Sequence, residues 1–260
     1  MEQDLTGKIA VVTGGAHGVG RAVVDRLAAR GAHVVINYLR ADSAAQRTLR
    51  ELTGRGQSAE LVRCSIGRHD WVTRLFDGVG ERHGRVDILV NNAASGAFRP
   101  IGELAEKDWG RAVDINLKGT LWCSRSAADL MPRGGAIVNL SSLGARLAPA
   151  NYAAVGTTKA AIEALTRYLA AEYGPRGIRV NTASAGPLDG EALRLFAPAT
   201  EARKAMLDAT PLGRFGTESE LAEVVLFLAS PAASWVTGQV LVADGGLSLG
   251  TALFAGAAGD

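Results

Sequence analysis

The stretch from Val11 to Val23, VVTGGAHGVGRAV, decides the fold. It begins as an apolar run, passes through Gly14, Gly18 and Gly20, and continues as helix-forming sequence. Glycines at a strand-to-helix turn permit a tight bend and let the backbone approach a pyrophosphate, which the helix N-terminus then attracts. His17 and Val19 lie inside the same loop. A glycine pattern alone is a weak signal. One that follows the first strand and opens a helix has the context in which such loops bind dinucleotides.

Outward from that loop, short runs rich in Val and Ile recur at 8–13, 33–38, 59–64, 86–92, 135–141, 178–184 and 239–244. Runs apolar on both faces suit a buried parallel sheet. Between them fall helical stretches at 18–30, 42–54, 69–83, 103–131 with a break, 152–173 and 217–229. This alternation predicts an α/β fold: one Rossmann domain over 1–260, its doubly wound parallel seven-stranded sheet covered by helices on both faces. Ligands in such sheets bind beyond the carboxyl ends of the strands. The segment 187–214 carries no strand pattern and directly follows the 178–184 strand, so it is a candidate substrate lid. Its Leu193, Leu195, Phe196 and Met206 suit an apolar substrate tail, and core packing explains them equally well. The tail 253–260, LFAGAAGD, carries no structural signal.

Composition narrows the function classes. Apolar residues are 47% and charged residues 21%, an ordinary globular balance able to fill one large core. A net charge of +2, without basic runs interleaved with aromatics, argues against nucleic acid as a partner. The chain contains no long apolar run of membrane-spanning length. Its start, MEQDLTGKIAVVTGG, runs from polar residues directly into a strand, unlike a secretory signal. Cys64 and Cys123 show no metal-type spacing and read as buried thiols, which fits a reducing cytoplasm. No metal is expected.

The end of the second strand bears on the choice of dinucleotide. An acid normally stands there to bind the ribose 2′-hydroxyl of NAD. Here the chain reads INYLRADS, placing Asn37 and Tyr38 at the strand end and Arg40 just beyond. No carboxylate repels a 2′-phosphate, a guanidinium is available to pair with it, and His17 is a second candidate. The expected cofactor is NADPH.

Chemistry concentrates in Asn151 to Ala160, NYAAVGTTKA. Tyr152 and Lys159 are close to two helical turns apart, so both can share one helix face. Together with VNNAAS (90–95), DINLKG (114–119), NLSS (139–142) and TGQVLVADGG (237–246), this segment resembles the short-chain dehydrogenase/reductase family, in register from Lys8 to about Leu249. The resemblance implies that Asn91, Asn92 and Ala93 stand beside the cofactor and that Asn116 helps hold a water near Lys159. It implies that Ser142 belongs to the active site, and that Ser65 and Ile66 stand where the family contacts adenine. Gly186 and Leu188 occupy the loop where the family usually has Pro-Gly and a later threonine; here the sequence has Ala185-Gly186 and Gly190.

The usual tyrosine of that family lies thirteen residues after the serine, a position held here by Val155. Tyr152 comes one turn earlier, giving Tyr-x6-Lys. That spacing resembles the enoyl-acyl-carrier-protein reductases. The segments 91–96, 141–146, 151–172 and 189–196 look like enoyl reductase III within them. A ketoreductase delivers hydride to the carbonyl carbon itself, whereas an enoyl reductase delivers it to Cβ. The oxygen that gathers charge is then roughly 2–3 Å further from the hydride donor, on the order of two bond lengths. Moving the phenol by one helical turn supplies such a shift. Tyr152 would then stabilise an enolate oxygen, and Lys159 would bind the nicotinamide ribose and favour the phenol's role.

The expected activity is therefore NADPH-dependent reduction of a trans-2-enoyl thioester in fatty-acid or polyketide-type synthesis. The alternatives are a ketoreductase with a repositioned phenol, and a nucleotide-binding regulator without chemistry. An acyl-carrier-protein partner is motivated by Arg125, Arg133, Arg176 and Arg194. The terminal strand and the 152–173 helix resemble surfaces that assemble homotetramers or homodimers in this family.

Overall fold

Buried Val, Ile and Leu runs dictate a sheet whose central strands have no solvent face. In a computed structural model, which describes residues 5–190, 193–194 and 200–250, seven strands pair in parallel in the order β3-β2-β1-β4-β5-β6-β7. They are β1 Ile9–Val12, β2 His33–Tyr38, β3 Ala59–Arg63, β4 Ile88–Asn91, β5 Gly135–Ser142, β6 Ile178–Ala185 and β7 Val240–Ala243. The chain winds outward from β1 in one direction and from β4 in the other. The strand order therefore reverses between β1 and β4, where a crevice opens beyond their carboxyl ends.

Helices cover both faces. One face packs α1 (Gly18–Ala29), α2 (Asp42–Gly54) and α8 (Glu218–Ala229) on the sheet through Val24, Leu27, Leu52, Leu221 and Val225. The other carries α3 (His69–His83), α5 (Gly119–Asp129) and α6 (Ala153–Tyr173), with Phe76, Val79, Cys123, Ala127 and Leu169 in its core. Thr217 starts α8 with a capping box: its hydroxyl accepts from Glu220 N, and the Glu220 carboxylate accepts from Thr217 N.

The expected break within 103–131 is real and has a specific form. Helix α4 (Glu106–Ala112) passes through a π-helical turn, Val113–Lys118, before continuing as α5. Such turns carry one residue more than an α-helical turn and are frequent at functional sites. Within the candidate lid, α7 spans Thr200–Asp208, and Leu188 bridges to Gly216. Leu195, Phe196 and the tail 253–260 lie outside the described residues. No helix among the described residues is long and apolar enough to cross a membrane. Cys64 and Cys123 are buried free thiols.

Candidate active site

Beyond the carboxyl ends of the strands lies a cleft of about 1720 Å³. Its floor is the glycine loop. Gly14 and Gly18 adopt positive φ (64° and 60°), the left-handed region that glycine enters without penalty. Gly20 is required for space: a Cβ there would stand 2.3 Å from Gly14 O and 2.4 Å from Asn92 Nδ2. Asn92 donates that amide to Thr13 O and Gly14 O, both at 3.0 Å, while Thr13 Oγ1 accepts from the backbone N–H of Asn92 and Ala93. Asn92 thus clamps the loop against β4. His17, the N-cap of α1, makes no side-chain bond to the first turn, so the first N–H groups of the helix remain directed at the cleft.

Further along, the wall consists of Asn37, Arg40, Ser65, Ile66 and Ala93. Asn37 is a structural member of it: its buried amide donates to Val62 O and Cys64 O, tying β2 to β3. Arg40 is exposed at the cleft edge, as is His17. The Ile66 side chain packs on Gly119, where an added Cβ would come within 2.9 Å of it. Gly186 and Leu188 line the opposite side, and Gly186 passes so close to Asp244 that a Cβ would lie 2.6 Å from its Cα.

The phenol is delivered by local backbone geometry. Asn151 is the non-glycine residue with positive φ (63°) among those described. Asparagine tolerates this conformation better than other side chains. The turn it makes sets Tyr152 as the N-cap of α6, whose first helical bond runs from Gly156 N to Tyr152 O at 2.7 Å. The ring then sits in a slot. On one side Phe98 stacks at 5.7 Å between centroids, tilted 19°. On the other is Gly144, where a Cβ would clash with Tyr152 Cε1 at 2.3 Å. Tyr152 Oη donates to Ser142 Oγ at 3.2 Å. Burial pushes the phenol pKa up, and the Ser142 bond partly offsets this. Val155, one turn on, points instead at Gly96, where a Cβ would stand 2.1 Å from Val155 Cγ2.

Lys159 is buried, and its Nζ donates to Leu140 O at 2.7 Å. Burial lowers its pKa to about 8. Asn116, inside the π turn, is fully buried. Its Oδ1 accepts from Ser95 N at 2.7 Å, and its Nδ2 donates to Ser95 O and Thr158 Oγ1, both at 2.9 Å. It therefore braces α6 one residue before Lys159. A second brace lies behind Ser142: Ser141 Oγ donates to Glu163 Oε1 at 2.9 Å, and Arg146 Nε to Glu163 Oε2 at 3.2 Å.

Several cleft residues escape sequence reasoning. Phe98 and Leu147 lie in loops, and Lys107 and Arg111 stand on α4, one turn or more ahead of Asn116. Glu218 also reaches the cleft, beside Gly18 and Gly190. Of the lid residues named from sequence, Leu193 and Met206 line it.

A doubly wound parallel sheet with a glycine loop at its switch point, and a phenol and a buried lysine facing the same cleft, defines the dinucleotide-dependent oxidoreductases of the Rossmann class. The chain belongs to the short-chain dehydrogenase/reductase superfamily, and within it to the family whose model is described as enoyl-(acyl carrier protein) reductase, which matches residues 14–248. It is 38% identical to 1-cyclohexenylcarbonyl-CoA reductase of Streptomyces collinus over 244 residues, 93% of this chain and 87% of that protein. It is 37% identical to 3beta-hydroxysteroid dehydrogenase 1 of Eggerthella lenta, covering 96% of this chain and 97% of the relative. A solved gluconate 5-dehydrogenase from Burkholderia cenocepacia, in complex with NADP and tartrate, superposes with a TM-score of 0.89 at 31% identity, covering 95% and 97% of the two chains.

Proposed function

We propose that this oxidoreductase uses NADPH to reduce the carbon–carbon double bond of a trans-2-enoyl thioester. The observation that carries the reading is the seat of Tyr152. The phenol is fixed by Phe98, Gly144 and Ser142 one turn ahead of the helix position that Val155 fills. The similarity to a cyclohexenylcarbonyl-CoA reductase supports it.

The cofactor fits the residues present. Gly14, Gly18 and Gly20 leave the loop without side-chain bulk, and His17, Val19 and the helix start offer N–H groups to a pyrophosphate. Arg40 and His17 are placed for a 2′-phosphate, Ser65 and Ile66 for the adenine, and Asn92, Ala93, Gly186 and Leu188 for the remainder. NADPH, when bound, supplies hydride to the substrate.

The chain's own residues then act at the other end of the acceptor. Tyr152 Oη donates to the thioester oxygen as negative charge gathers on it, an oxyanion-type stabilisation. Lys159, as the ammonium, lowers the cost of charge near the phenol. Asn116 holds α6 in place, and Ser142 holds the phenol's rotation. The apolar lining from Phe98, Leu143, Leu147 and Leu188 excludes water from the acyl chain.

One observation favours a second reading. The direct Tyr152–Ser142 bond also suits a carbonyl oxygen held between two hydroxyls, and one relative is named for hydroxysteroid oxidation. Oxidation of NADPH with a trans-2-enoyl-CoA and a β-ketoacyl-CoA, measured side by side, separates the two. Turnover of the enoyl thioester alone is expected; turnover of the ketone alone overturns the proposal.

As partners, the reading includes an acyl-carrier protein and further copies of the chain as a homodimer or homotetramer. Arg133 and Arg176 immediately precede β5 and β6, at the sheet's amino end and away from the cleft. Lys107 and Arg111 at the cleft wall are better placed. Self-association is supported by exposed Tyr168 on α6, Trp235, and Leu241 on β7. Light scattering on an eluting peak tests it.

A further inference from the structure

At the amino end of the sheet, opposite the cleft, three side chains of metal-ligand type converge. His33 opens β2, Glu60 lies in β3 and His83 closes α3. One donor atom from each lies within 4.8 Å of the other two. The two imidazole rings are 4.5 Å apart between centroids, and His83 Nε2 stands 3.0 Å from Glu60 Oε1. His33 is held from behind by Ser58, with Nδ1 and Oγ 2.7 Å apart. Its other nitrogen, Nε2, is buried and has no hydrogen-bond partner.

That last feature calls for an explanation, because a buried polar atom left unpaired loses its hydration without compensation. In the tautomer whose Nδ1–H donates to Ser58, Nε2 presents a lone pair. An outer hydrogen bond of this kind is how metal-binding histidines are fixed in tautomer and orientation. No sequence motif announces the cluster, since its members are separated by whole strands and helices and meet only through the β2–β3 pairing and the end of α3.

We infer that His33, Glu60 and His83 form a binding site for a divalent transition ion of the zinc type, taken by two imidazole nitrogens and one carboxylate oxygen. Two imidazoles and one carboxylate suit zinc, cobalt or nickel; magnesium and calcium favour all-oxygen sets. With metal–ligand bonds of about 2.1 Å, neighbouring tetrahedral ligands lie about 3.4 Å apart. The His83–Glu60 pair is already at 3.0 Å. The remaining separations, at most 4.8 Å, close by side-chain rotation in residues that are only partly buried.

Arg82 is the cation that now neutralises Glu60, donating from Nε at 3.0 Å and Nη2 at 3.1 Å. It is half exposed and can withdraw into water when an ion arrives, so it sets a threshold that the metal must overcome. The site is remote from the chemistry. His33 and the cleft residue Tyr38 are opposite ends of β2, about 16 Å apart at the usual rise of a strand. An ion there ties β2, β3 and α3 together and stabilises the folded chain by mass action.

The test uses the untagged full-length chain, freed of metal by chelation. Zn²⁺ binding is followed by calorimetry, Co²⁺ binding by its visible absorption, and folding by thermal melts with and without Zn²⁺. The expected result is one ion per chain, tetrahedral-type cobalt bands and a raised melting temperature. His33→Gln and His83→Gln should each weaken binding by about tenfold or more and abolish the melting shift. Arg82→Gln should bind at least as tightly as the parent chain. Metal-free melts of each variant verify that it folds. Absence of binding at millimolar Zn²⁺, or equal affinity in the parent and the histidine double variant, overturns the proposal.

Discussion

Val155 and Gly96 are locked together: the valine methyl Cγ2 stands 2.1 Å from where a Cβ on the glycine would be. Valine is stiff at χ1, so it cannot easily turn aside. Gly96→Ala is therefore expected to push the start of α6 and cost about 1–3 kcal/mol, with activity falling as Tyr152 shifts. Val155→Ala should restore most of both losses in the double variant. Chemical denaturation and turnover of the four chains of that cycle check the coupling.

Removing only the phenol oxygen separates chemistry from packing. Tyr152→Phe keeps the stack on Phe98 and the slot against Gly144, so melting temperature and NADPH affinity should hold. Turnover of the enoyl thioester should fall about 10²–10³-fold, the usual loss for one oxyanion donor. Undiminished turnover would remove Tyr152 from the mechanism.

Arg40 stands at the cleft edge, where the lining stretch 37–41 carries no acid to favour the 2′-hydroxyl of NAD. Arg40→Ala should lower the NADPH-over-NADH ratio of kcat/KM by about ten- to a hundredfold, as expected for one charge-assisted contact. The change should appear in NADPH alone. An equal fall with both nucleotides would place Arg40 outside phosphate recognition.

Glu218 brings a carboxylate to within 3.5 Å of the Cβ position of Gly18, beside the loop assigned to the pyrophosphate. Like charge at that site opposes the ligand by on the order of 1 kcal/mol. Glu218→Gln should lower KM for NADPH about fivefold at low salt, less at high salt, and leave kcat alone. Steady-state kinetics at two ionic strengths decide it.

Lys159 makes a signed prediction about stability. Its pKa falls from 10.5 unfolded to about 8 folded, because burial opposes the ammonium. Between those values the unfolded chain binds the extra proton, so this group's contribution to stability rises with pH across that window. Cys64 and Cys123 act oppositely above about pH 9, since burial raises both thiols. The informative quantity is the difference between parent and Lys159→Met in denaturant melts from pH 7 to 10. That difference should shift in the parent's favour as pH rises.

The sheet, its order-reversing crevice and the register of Tyr152 and Lys159 were legible in the chain because each depends on local pattern. Val and Ile runs specify buried strands whatever surrounds them, and a seven-residue spacing on a helix fixes a shared face. The slot that aims the phenol was not legible. Phe98 arrives from a loop after β4 and Gly144 from the turn after β5, and neither contact leaves a periodic trace. Asn37 and Asn92 sit where cofactor contacts were expected, yet their side-chain amides are spent on holding strands and loop together. Position along the chain puts both on the cleft wall, while neighbouring Asn91 turns its amide to Ser124 and Asn139; such bonding partners depend on tertiary structure.

The π turn at 113–118 absorbs one extra residue while the helices on either side keep their faces. Deleting that residue would restore an uninterrupted α-helix, with α4 still at the cleft and α5 still on the sheet. What would be lost is the widened turn that seats Asn116, and with it the amide grip on Ser95 and Thr158 that holds α6 one residue before Lys159. A one-codon deletion here is thus a local edit that slackens the catalytic helix and spares the hydrophobic layers.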